Sequence, residues 1–246
     1  MFKLREQLID IAQAGLHPIP DYQCLSSRSD VLDDKLIVVG YSGTGDNGGI
    51  TNSNFPQPVG FTSAIYLVPG IDQPVLHTGP TVAVPTLQRT RIAMQLFAHL
   101  FLRVMPMHTG GMWVTTLAAV SSSLVQTEKV LYKTHSSPQN RSFLHAHLVI
   151  ARAIDNQYRP SLLISPDATW DEERFAFHGS MDWHAAECQK KDIDDVHFWR
   201  RDGGVNAYFH RLMRPGKGDE VLLVGFVDAE RVWETIEQWQ PPKSRI

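Results

Sequence analysis

Apolar residues recur with a helical period at the start of the chain, where Leu4, Leu8, Ile11 and Ala12 share one face and Gly15 is placed to end the last turn. The pattern predicts a helix over 2–14. His17-Pro18-Ile19-Pro20 predicts extended backbone next, because proline restricts its own φ and disfavours helix at the residue before it. Leu36–Tyr41 has the length and composition of a short buried strand, and Phe61–Val68 is a second, closed by Pro69-Gly70. Between them Ser42–Asn54 is rich in Gly, Asn, Ser and Thr and reads as a loop. Val75–Val84 reads as one or two extended pieces around Gly79-Pro80.

The longest helical pattern covers Leu87–Val104, with Ile92, Leu96, Leu100 and Val104 in succession and Pro106 and Gly110-Gly111 beyond. Met112–Val125 carries two signals: Trp113–Thr116 favours strand and Leu117–Ala119 favours helix, so both alternatives stay open. Further on, Lys129–Thr134, Phe143–Arg152 and Ser161–Ser165 read as strands. Val205–Met213 and Glu220–Val227 read as a hairpin turned by Arg214–Asp219, while Trp170–Phe177 fits neither period. Asp228 is placed as the N-cap of a closing helix with Val232, Ile236 and Trp239 as its apolar stripe. Strands dominate, helices fall near the N-terminus, the middle and the C-terminus, and βαβ alternation is not regular. The expected fold class is therefore α+β with a largely antiparallel sheet.

Charge changes this picture more than composition does. The 246 residues carry a formal net charge of −3, without the basic surplus of a dedicated nucleic-acid binder. Yet Leu36–Thr127 holds only five charged residues (Asp46, Asp72, Arg89, Arg91 and Arg103), against 34 in Glu128–Ile246. A chain this size cannot hide so long a tract completely, and charge depletion is typical of interface cores. The contrast predicts a charge-poor contact surface for a protein partner or a homo-oligomer. It also suggests a subdivision near 128 as the alternative to a single domain over 1–246.

No stretch reaches the roughly 20 apolar residues of a membrane-spanning helix, and Lys3, Arg5, Glu6 and Asp10 interrupt any secretory leader. Cys24 and Cys188 stand alone, without C-x-x-C spacing. The expectation is a soluble, cytoplasmic protein without membrane association or a disulfide framework.

Candidate chemistry is sparse. His145 and His147, two apart on an expected strand, would share a face and could hold a divalent transition metal such as zinc. A third ligand would come from His178, Asp182 or His184, or from His135; two histidines on the polar face of a half-exposed strand is the simpler account. The Gly-rich loop with Gly43, Gly45 and Gly48 lacks a following Lys-Ser/Thr and a helix to hold phosphate. Ser42 sits where a nucleophile elbow would place its serine, but Thr44 replaces the required glycine. His184 and Cys188 are four apart and could form a nucleophilic pair oriented by Asp182 or Glu187. Arg200-Arg201, Arg211, Arg214 and Lys217 lie among Phe198, Trp199, Tyr208 and Phe209, a mixture that can bind nucleic acid. The acidic run Asp192, Asp194 and Asp195 beside them predicts salt bridging instead. The leading expectation is a binding or assembly subunit, and the alternative is a metal-dependent hydrolase using His145 and His147 with metal-bound water as nucleophile.

Overall fold

A computed structural model describes residues 2–14, 16, 18–42, 56–87, 90–137, 144–187, 190–216 and 218–239. The opening helix α1 (Phe2–Gln13) buries Leu8, Ile11 and Ala12, the stripe its period prescribes. Strands β1 (Lys35–Tyr41), β2 (Pro58–Leu67) and β3 (Val75–Ala83) form an antiparallel meander. Helix α2 (Ile92–Val104) then crosses over, and β4 (Met112–Ala118) enters parallel to β3. After α3 (Ser121–Val130) and β5 (Tyr132–His135) comes α4 (His145–Ala153), prolonged by a wide turn over Ile154–Tyr158. The small hairpin β6 (Thr169–Asp171) and β7 (Ala176–His178) precedes α5 (Gly203–Leu212), β8 (Glu220–Val227) and α6 (Ala229–Trp239).

One mixed, mostly antiparallel sheet unites the strands in the order β1-β2-β3-β4-β8-β7-β6. β8 is its hub, antiparallel to β4 along one edge and to β5 and β7 in tandem along the other. The fold is α+β, and its sheet draws strands from both sides of residue 128. Among the described residues, no helix is long and apolar enough to cross a membrane.

Strand alternation divides the core into two layers. Met112, Val114, Val221, Leu223 and Val227 point to the face covered by α2, α3, α5 and α6. Trp113, Leu222 and Val224 point the other way, toward α4, Leu162 and Phe177, while Phe61 on that same face meets α1. Leu36–Thr127 thus supplies four neighbouring strands and the crossover helix. Much of its charge depletion is explained by burial on both faces of the sheet, where an unpaired charge is costly.

Several expected elements take another form. Phe143–Arg152 is not a strand: from His145 onward it is α4, with Ile150, Ala151 and Ile154 buried at helical spacing. Val149 and Ile150 suggested strand by their branching, but Ala146, Ala151 and Ala153 favour helix and packing against β8 decides. Val205–Met213 is likewise the helix α5 up to Leu212, so the expected hairpin is a helix followed by a strand. Its start is set by Asp202, whose carboxylate accepts the amides of Gly204 (2.9 Å) and Val205 (3.3 Å). Ser161–Ser165 is a short 3-10 turn running into irregular chain rather than a strand. Met112–Val125 holds both of its alternatives in sequence, β4 and then the start of α3. α2 begins at Ile92 rather than Leu87 because Arg91, at φ 67°, breaks the turn before it.

Candidate functional site

The site is built by a parting of strands. β3 and β4 pair only over Val75–His77 and Trp113–Thr115. Beyond that, β3 follows β2 through a bulge, and β4 follows β8. Parallel strands that diverge at their carboxyl ends leave a crevice between them, the position where α/β sheets commonly accept ligands. Here the crevice is a cleft of about 370 Å³ between Thr78–Val82 and Thr116–Val120, inside the roughly 300–1,000 Å³ range typical of ligand pockets. Phe97 and Phe101 of α2 and Val130 of α3 line one side, with Ser123, Gln126 and Thr127 adding polar atoms.

The opposite wall carries the chemistry. Glu220, the first residue of β8, shares the inward parity of Leu222 and Val224 and is 7% exposed. It accepts a 2.5 Å hydrogen bond from the Ser180 hydroxyl. Burial pushes its carboxyl up to about 7, and the Ser180 bond offsets only part of that rise. Tyr22 lies close enough for burial and the nearby Glu220 carboxylate to raise its phenol well above the ordinary range. His77 completes the wall; its Nδ1 lies 2.9 Å from the Thr115 hydroxyl, and burial drives it down to about 3, so the ring is neutral.

A buried polar relay holds Tyr22. Gln23 donates through Nε2 to the Tyr22 hydroxyl at 2.8 Å, and its Oε1 accepts from Ser63 at 2.8 Å. Gln23 adopts φ 44° to make both bonds. Its amide lies directly over Gly79 of the β3 bulge, where a Cβ would fall 1.8 Å from Oε1. With Gln23 already bonded to its hydroxyl oxygen, Tyr22 keeps an O–H for donation. Lys191 also lines the cleft, partly buried, with no carboxylate partner among the described residues. The arrangement offers apolar walls, a carboxylic acid that changes protonation near neutrality, a phenol and a neutral imidazole. Such a set can donate and accept hydrogen bonds and can exchange a proton.

The expected site residues lie elsewhere. On α4, His145 and His147 are about 200° apart around the helix axis, so they do not share a face. His145 is exposed, while His147 is buried and structural. The His147 Nδ1 accepts the Leu144 amide at 2.8 Å, and Nε2 donates to the Lys133 carbonyl at 2.7 Å, tying α4 to β5. Burial lowers its pKa, with the Lys133 carbonyl working against that shift. The His135 ring lies 5.7 Å from that of His147, centroid to centroid. His178 is engaged instead with Asp219 (2.6 Å) and Asp171 (3.3 Å), and His184 is exposed. Among the described residues, no three His, Cys, Asp or Glu side chains are grouped to hold a metal ion.

Ser42 uses its hydroxyl to accept the Gln57 amide at 3.0 Å. Cys188 and the Gly43, Gly45 and Gly48 loop lie outside the described residues, as does Lys217. Cys24 is buried beneath α1, and burial pushes its thiol up to about 11, an unreactive state at neutral pH. Of the basic cluster, Arg214 is committed to Asp219 (2.7 Å) and Arg211 lies 5.9 Å over the Tyr208 ring. Comparison of the chain with protein-family models, curated proteins and solved structures gave no match.

Proposed function

We propose that the protein binds a small, largely apolar organic molecule bearing a carbonyl or carboxyl group in the β3–β4 cleft. The observation that carries this is the placement of Glu220 in the wall of a ligand-sized crevice opened by two diverging parallel strands. A carboxylic acid held neutral can donate to a carbonyl oxygen, the Tyr22 hydroxyl supplies a second donor, and the aromatic and aliphatic walls accept the remainder. Lys191 is suited to an anionic end. Because Glu220 changes protonation near neutral pH, the same geometry would serve an enzyme that moves a proton on the bound molecule. A cytoplasmic setting fits the buried thiol of Cys24.

The test is a titration of small aromatic and aliphatic acids and ketones, followed by calorimetry, against the protein and two variants. Ala93→Trp fills the cleft and should abolish binding, whereas Glu220→Gln should keep the shape and weaken carbonyl-bearing ligands selectively. Ligands that bind Ala93→Trp as well as they bind the wild type would contradict the proposal.

Protein–protein contact through the charge-poor tract is the second proposal. It is favoured by three exposed large apolar side chains in that tract, Tyr41, Val68 and Met107. Tyr41 and Val68 lie at opposite ends of the β1–β2 ladder, so they do not form one patch. Light scattering decides it: a concentration-independent monomer that retains no partner on purification removes this second role.

A further inference from the structure

A second concavity opens between α3, β5 and the segment that enters α5. It is a groove of about 940 Å³. Five cations line it, Lys129, Lys133, Arg200, Arg201 and Arg231, against two carboxylates, Glu128 and Asp202. Both acids are engaged locally: Glu128 accepts from the Ser137 hydroxyl, and Asp202 caps α5. Arg231 is held by the Lys129 carbonyl (2.8 Å) and Glu234 (3.2 Å). The other four cations have no carboxylate partner among the described residues.

Among the described residues, the neighbouring acidic run does not salt-bridge these arginines and lysines. Asp195 receives the His197 amide and ring, Asp192 receives the Asp194 amide, and Asp194 lies 3.8 Å from His210. A strongly positive groove on a chain of net charge −3 is a local reversal of sign, and concave walls focus such a field.

An aromatic platform stands beside the charge. Trp199 is 43% exposed yet fixed, its indole N–H donating to the Ile193 carbonyl at 3.1 Å and its ring meeting His210 edge-on at 5.2 Å. Cations without carboxylate partners, Lys133 among them lying 5.5 Å and 5.3 Å over the Tyr132 and Phe226 rings, stand next to a preorganised, exposed indole and suit a ligand that carries both phosphates and flat bases. We propose that this groove binds single-stranded nucleic acid, with Lys129, Lys133, Arg200 and Arg201 on the phosphates and Trp199 stacking a base. The groove shares only Leu131 with the lining of the β3–β4 cleft and does not depend on that cleft's occupant.

The experiment is fluorescence anisotropy with a short labelled oligo(U) at low salt, circular dichroism establishing that each variant is folded. Binding should weaken with a log–log salt slope of about −3, as four neutralised phosphates on a single strand imply. Arg200→Glu/Arg201→Glu should weaken it at least tenfold, and the exposed pair Lys129→Gln/Lys133→Gln supplies an independent arm should the first variant misfold. Trp199→Ala should cost roughly tenfold while Trp199→Phe, which still stacks, should retain affinity. Absence of binding at low salt overturns the proposal. So does heparin, which has no bases, binding as tightly as oligo(U) with no response to Trp199→Ala, because that behaviour defines a general polyanion site.

Discussion

Ser180 and Glu220 meet at 2.5 Å beneath the protein surface, and among the described residues no cation is paired with the Glu220 carboxyl. The Glu220 value of about 7 therefore stands above its ordinary 4.5. A group raised on folding binds its proton more tightly in the native state. Its contribution is complete below about pH 4.5 and is lost as pH rises through about 7. The difference is worth about 3 kcal/mol at most. Glu220→Gln should remove that slope, so urea midpoints of the variant should be flatter than wild type between pH 5 and pH 8 and higher at the alkaline end. Parallel curves for the two proteins would show that Glu220 does not titrate there.

Asp219, the adjacent residue, behaves in the opposite sense. Burial would raise its carboxyl, yet bonds from the Arg214 side chain and amide, the Gly179 amide and His178 outweigh burial and hold it at about 2. Its contribution is present above the usual 3.8 and lost as pH falls toward 2. That amounts to about 2 kcal/mol. Asp219→Asn should lower neutral-pH stability by about 3 kcal/mol, because it removes the charge facing Arg214 and turns one of the two acceptor oxygens shared by His178, Gly179 and Arg214 into an N–H donor. Denaturant unfolding at pH 7 measures it, and a loss below about 0.5 kcal/mol would mean the network is dispensable.

The two histidines of α4 separate a structural role from a metal-binding one. His147→Ala should cost about 2 kcal/mol, since it leaves the Leu144 amide and Lys133 carbonyl without their partner. His145→Ala, at an exposed position, should fall within about 0.5 kcal/mol of wild type. A shared metal would make the two variants lose stability and metal content together, so thermal denaturation with elemental analysis distinguishes them.

The Gly79 backbone lies against Gln23, and Gly79→Ala should displace that amide from both Ser63 and Tyr22. The expected cost is about 1–3 kcal/mol. It should come with an altered cleft wall, read as changed chemical shifts at Tyr22 and His77. A fully stable variant with unchanged shifts would mean the relay is not needed to hold Tyr22.

What the chain reveals without its fold follows from the range over which each signal acts. α1, α2, α6, the meander strands and β8 are local periodic patterns, and Asp228 does accept the Arg231 amide at 2.9 Å as the cap of α6. In α4 and α5 branched and aromatic side chains favour strand locally, while the helix starts are set by the Leu144 amide bonded to His147 and by two amides bonded to Asp202. The cleft is harder to see, since Tyr22, His77, Thr116 and Glu220 come from four distant segments, three joined by the sheet and Tyr22 held to it through Gln23 and Ser63. One clue was present: Glu220 has the same parity as Leu222 and Val224 and so had to point inward.

The central claim is that the β3–β4 cleft holds a ligand. Its most direct measurement is amide chemical-shift mapping during titration with small carbonyl- and carboxyl-bearing fragments. Perturbations are predicted to cluster at Thr78–Val82, Thr116–Val120 and Glu220, and to vanish in Ala93→Trp. Fragments that leave those amides unmoved, or that shift them equally in Ala93→Trp, would contradict it.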